Sequence, residues 1–97
     1  MSDKKRITDH RHQLKIADFE EVMASVFSKL VVRLHKKGYG ILVSPHEISG
    51  ILDEEVNEFK EEVHLKSSDC DKIDELEDVA VAAILGIASL KSGKMDY

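Results

Sequence analysis

Two stretches of this chain pair carboxylates at a spacing that a helix turns into a face: Glu55 with Glu58, and Glu75 with Asp78. Residues at i and i+3 lie one turn apart on the same side of a helix. Each pair can therefore grip a cation from one side, and two such helices packed together would close the grip. What surrounds the pairs constrains the fold. With Glu55 at zero and about 100° per residue, Ile51 falls at about −40°, Ile48 at about 20°, Phe59 at about 40°, Leu52 at about 60° and Val56 at about 100°. On the same wheel Glu62 falls at about −20° and Glu58 at about −60°, in or beside that apolar arc. Glu54 borders it, while Asp53, Asn57 and Lys60 face solvent. Unpaired carboxylates are costly on a buried face, so a cationic partner is expected opposite.

Helix punctuation divides the chain into three segments. Asp18, with Glu21 three residues on, reads as the N-cap of a first helix that ends at Gly38. Its Phe19, Val22, Met23, Val26, Phe27, Leu30, Val31 and Leu34 recur at three and four and are expected to form a core stripe. Arg33, His35, Lys36 and Lys37 crowd its last turn, where cations suit the helix dipole; they read as solvated charges, with contact to a substrate phosphate as the functional alternative. Gly38 to Val43 is a turn. Ser44-Pro45-His46-Glu47 then opens a second helix to about Lys66, with Ser as N-cap, Pro at the first position and Glu completing the box. Ser67-Ser68-Asp69 caps a third, expected to run through Leu90 or Lys91 and to end before Gly93. From Val79 to Ala88 this helix is apolar on every side, and such a surface must be covered on every side. One neighbour comes from the same chain, and the other is expected from a second subunit.

The expected fold is all-α: an antiparallel bundle of three main helices completed by oligomerisation, spanning residues 18–97. Residues 1–17 hold five of the 14 Lys and Arg with few apolar side chains, and read as a flexible basic arm. His10-Arg11-His12 within it reads as a polar tail, since alternate residues of an extended segment point apart. From Ser44 to Asp78 there are 13 Asp or Glu against three Lys, which argues against nucleic acid as a partner. The single Cys70 excludes an intramolecular disulfide and suggests a reducing compartment. The longest apolar run, Val79 to Leu90, is 12 residues, short of the roughly 20 that cross a bilayer. No signal-peptide apolar run follows the basic start. A cytoplasmic protein without a membrane partner is expected.

Four carboxylates converging from two helices would repel one another unless divalent cations neutralise them. Oxygen-only ligands favour Mg²⁺ or Mn²⁺ over Zn²⁺, and Mg²⁺ commonly takes substrate phosphates as further ligands. The chemistry suits phosphoryl transfer to water. Two other carboxylate sites fail on position. A di-iron bundle needs a second Glu-x-x-His, and the His64 of Glu61-Glu62-Val63-His64 points away from Glu55. An EF-hand starting at Asp69 lacks its Gly.

Glu54-Glu55-Val56-Asn57-Glu58, then 16 residues, then Glu75-Leu76-Glu77-Asp78 resembles the EExxE and ExxD signature of the MazG-like all-α nucleoside triphosphate pyrophosphohydrolases. The likeness covers roughly Tyr39 to Leu90. It implies Glu55, Glu58, Glu75 and Asp78 as Mg²⁺ ligands, with Glu54 as an additional acid near the metal or its water. It also implies hydrolysis of a nucleoside triphosphate to monophosphate and pyrophosphate by a homo-dimer or homo-tetramer. Glu54, or failing it Glu62, is the candidate to orient or deprotonate the attacking water. Lys72, Lys91 and Lys94 are the basic residues considered for the phosphates, although they match no motif of that family. The competing reading is a non-catalytic helical oligomeric interaction module with the same fold and solvated carboxylates.

Overall fold

The computed structural model of the protein describes residues 11–95. Most of the expected basic arm, His10 included, lies outside the described residues. Three helices follow in order, α1 Ile16–Lys37, α2 Pro45–His64 and α3 Asp69–Ser92, with no strand among the described residues.

The start of α1 corrects the sequence reading. Asp18 is not the N-cap but the third helical residue, where its carboxylate accepts the Lys15 backbone N–H at 2.7 Å. An acid there meets an otherwise unpaired amide and the positive end of the helix dipole, so Ile16 and Ala17 belong to the helix rather than to the arm. At the other end Gly38 has φ 92° and its N–H donates to Leu34 O at 2.8 Å.

The opening of α2 follows its expected chemistry: Ser44 Oγ accepts the Glu47 N–H at 3.2 Å, and Glu47 Oε1 reaches back to the Val43 N–H at 2.7 Å. The helix stops at His64, two residues before the expected Lys66. There the Lys66 N–H donates to Val63 O and the Ser67 N–H to Glu62 O, each at 3.1 Å, the pair of bonds of a Schellman cap. Lys66 takes the left-handed position that glycine usually fills, at φ 58°. Ser68 then caps α3 by accepting the Asp71 N–H at 3.1 Å, and Gly93 closes it at φ 69°, ψ 14°.

A short link makes α2 and α3 an antiparallel hairpin, in which Ile48 meets Gly86 and Glu55 meets Asp78. A Cβ on Gly86 would stand 2.9 Å from Ile48 Cγ2, so the small residue lets the two backbones approach. α1 lies against α3 and makes no close backbone contact with α2. The connector returns to α3 through a buried hydrogen bond, with the Leu42 N–H donating to Ser89 Oγ at 2.9 Å.

The core is thin. Among the described residues Val26, Leu42, Val81 and Ala82 are its buried apolar residues, and no large side chain is fully buried. The expected core stripe of α1 is therefore corrected: of its eight members only Val26 is buried, while Phe19, Val22, Met23 and Phe27 are more than half exposed. α3 covers one flank of α1, and no other described element reaches the remainder. On α3, Val81, Ala82 and Gly86 are buried, whereas Ile84, Ile87 and Leu90 stay exposed. No helix among the described residues is long and apolar enough to cross a membrane.

Candidate metal and phosphate site

The hairpin brings three of the four proposed ligands to one point. One carboxylate oxygen from each of Glu55, Glu75 and Asp78 lies within 4.8 Å of the others. Glu58, one turn beyond Glu55, is exposed and lines the same cavity as Glu55 and Asp78, a space of about 340 Å³ between α1 and the hairpin. Glu54 lines that cavity too and is exposed. Glu62 is half-buried further along α2 and does not line it; its charge acts on Glu75.

The acids carry the electrostatic mark of crowding. Burial, then the charges of Glu58 and Asp78, push the Glu55 carboxyl above its ordinary 4.5. Burial, then Asp78, Glu58, Asp74 and Glu62, do the same to Glu75. Glu75 Oε1 is shielded from solvent and has no hydrogen-bond partner, an arrangement that costs free energy when nothing fills the missing bond.

Among the described residues, the cation that the helical wheel of α2 called for does not pair with the α2 acids; the one that enters the site meets α3 instead, and it comes from a residue that sequence reasoning did not single out. Lys29 Nζ on α1 lies 2.6 Å from Asp74 Oδ1 and 3.0 Å from Asp78 Oδ1, and donates to the Asp74 carbonyl at 2.8 Å. Beside it Ser25 Oγ donates to Glu77 Oε2 at 2.6 Å. Burial alone would lower the Lys29 pKa; hydrogen bonds to Asp74 and Asp78, with their charges, outweigh it and hold the ammonium above its ordinary 10.5. The signal was present in the spacing: Lys29, Arg33 and Lys37 recur every fourth residue beside the Val22-Val26-Leu30 stripe. All three line the cavity. Lys72, Lys91 and Lys94 do not; Lys91 is 13 residues beyond Asp78, about 20 Å along the helix axis.

Among the described residues no cation comes within ion-pair distance of Glu55, Glu58 or Glu75. Lys29 offsets Asp74 and Asp78 and leaves the others uncompensated. Hard carboxylate oxygens, an orphaned shielded oxygen, and Glu55 and Glu75 carboxyls each pushed upward by burial and neighbouring acids fit a hard divalent cation. No known protein family, characterised protein or solved structure gives a significant match to this chain.

Proposed function

We propose that the protein is a divalent-cation-dependent nucleoside triphosphate pyrophosphohydrolase of the MazG-like kind, releasing a nucleoside monophosphate and pyrophosphate. The observation that carries the reading is the convergence of Glu55, Glu75 and Asp78 within 4.8 Å. Glu58 lines, with Glu55 and Asp78, a cavity whose opposite wall is basic. Glu55, Glu58, Glu75 and Asp78 would hold Mg²⁺, or Mn²⁺, both of which take oxygen ligands. When bound, the cation supplies charge neutralisation for the polyphosphate and acidifies a water. Glu54, exposed on the cavity wall, is better placed than Glu62 to orient that water and take its proton. Water adds across the α,β phosphoanhydride, and the proton released in that addition leaves through the Glu54 carboxylate. With Cys70 free and exposed, a nucleotide substrate goes with a cytoplasmic setting.

Incubation of the full chain with a panel of nucleoside triphosphates and Mg²⁺, followed by chromatography of the nucleotides and a pyrophosphate assay, tests the reading. Monophosphate and pyrophosphate in equal amounts support it; no turnover of any member of the panel refutes it.

A homo-oligomer belongs to the same proposal, because the exposed apolar face shared by α1 and α3 needs a cover that the described chain does not supply. That face also favours the second reading, an oligomeric interaction module without catalysis. Melting with and without Mg²⁺ separates the two: a cation bound only by the folded chain raises the midpoint, and solvated acids at a bundle edge leave it unmoved.

A further inference from the structure

The basic wall of the cavity is as ordered as the acidic one. Lys29, Arg33 and Lys37 stand at i, i+4 and i+8 on α1, at steps of about 6 Å along the axis, and line the same space as Glu54, Glu55, Glu58 and Asp78. Lys29 is engaged with Asp74 and Asp78. Arg33 and Lys37 are not engaged: among the described residues neither has an ion-pair partner, although Arg33 is half-buried. Cations and carboxylates that share a cavity without pairing leave a gap between opposite charges. Self-neutralisation would have closed it. The ligand that fills such a gap presents a positive centre to α2 and α3 and anionic oxygens to α1.

We infer that Arg33 and Lys37 bind the phosphate oxygens of a cation-complexed polyphosphate held by the acidic wall. Arg33 offers the planar fork that takes two phosphate oxygens at once, and Lys37 a compact charge at the outer end of the row. Lys29 keeps α1 against α3 by holding Asp74 and Asp78, which fixes the distance between the two walls. Lys36, adjacent in sequence but absent from the cavity lining, takes no part. The inference rests on the cation-binding part of the proposed function and not on hydrolysis.

Calorimetric titration of the full chain with inorganic tripolyphosphate, in Mg²⁺ and in EDTA, tests it. Binding is expected in Mg²⁺ and is expected to be lost in EDTA. Arg33→Gln should weaken it by about tenfold or more, the scale of a charge-assisted bidentate contact, with Arg33→Lys intermediate. Lys37→Gln should weaken it several-fold, and Lys36→Gln should stay within about twofold of the parent. Affinity unchanged in both Arg33→Gln and Lys37→Gln, or equal in EDTA and in Mg²⁺, overturns the inference. Should Arg33→Gln fail to give the parent's circular dichroism, Lys37→Gln on the exposed last turn decides alone. The two readings fail separately. Arg33-dependent tripolyphosphate binding without turnover of any nucleotide removes the hydrolase and keeps this site; turnover with an unchanged KM in Arg33→Gln does the reverse.

Discussion

Glu75 concentrates the chemistry of the site in one side chain: a shielded oxygen without a partner, a carboxyl pushed upward by burial and by four neighbouring acids, and a place within 4.8 Å of Glu55 and Asp78. Because Glu55 and Glu75 have folded-state pKa values above their ordinary 4.5, the folded chain binds more protons than the unfolded one just above that value. Their contribution to stability is therefore greatest at low pH and is lost as pH rises through the raised values. In EDTA, Glu75→Gln should gain on the parent in melting midpoint as pH rises from 4.5 toward neutrality, and Mg²⁺ should shrink the gap by binding the ionised form. A midpoint difference that stays constant with pH would show that Glu75 is not crowded. For catalysis, Glu58→Gln or Asp78→Asn should cost roughly two orders of magnitude or more in hydrolysis rate, the scale of losing a main electrostatic stabiliser. Glu61 is exposed and outside the cavity, so Glu61→Gln should change little. Equal damage from Glu61→Gln would mean that the face of α2 has been misassigned.

At the scale of elements, the cavity depends on how α1 is tied to the hairpin, and the ties are few. One is the Lys29 and Ser25 set of contacts with Asp74, Asp78 and Glu77. The other is the connector, anchored where the Leu42 N–H meets Ser89 Oγ in a buried bond. Ser89→Ala leaves that amide buried without an acceptor and should cost about 1–3 kcal/mol of unfolding free energy, read from urea denaturation. A loss below about 0.5 kcal/mol would mean that water replaces the hydroxyl and the anchor is dispensable.

The whole molecule is expanded for its length. Its radius of gyration is 16.3 Å, against about 12 Å for a compact domain of this size. Between α1 and α3 runs an apolar groove of about 520 Å³, lined by Val22, Met23, Val26, Phe27, Leu30, Ala80 and Ile84. The proposed homo-oligomer would bury this groove in a second copy and so add to a thin core. Light scattering should return a mass at least twice the 10.9 kDa of the chain, and Phe27→Glu should lower the mass and the stability together. A cooperatively folded monomer at micromolar concentration would refute the assembly.

Sequence alone determined the features that depend on neighbours a few residues away. Ser44-Pro45 and Ser68 start α2 and α3, Gly93 ends α3, and Glu55 with Glu58 and Glu75 with Asp78 share faces, because caps and i, i+3 spacing are local. The misjudged ends of α1 and α2 were local as well, but each had two chemically adequate solutions. Asp18 serves as well at the third helical position as at the cap, and Lys66 accepts a left-handed turn that glycine more often makes. Tertiary structure alone decided that three of the four acids, Glu55, Glu75 and Asp78, form the tight cluster, that Phe19, Val22, Met23 and Phe27 turn outward, and that Lys29 faces Asp74, 45 residues away. Those outcomes depend on the rotation of one helix about its axis relative to another. Packing across long separations sets that rotation; the row of Lys29, Arg33 and Lys37 marks a basic face of α1 but does not record which acids it meets.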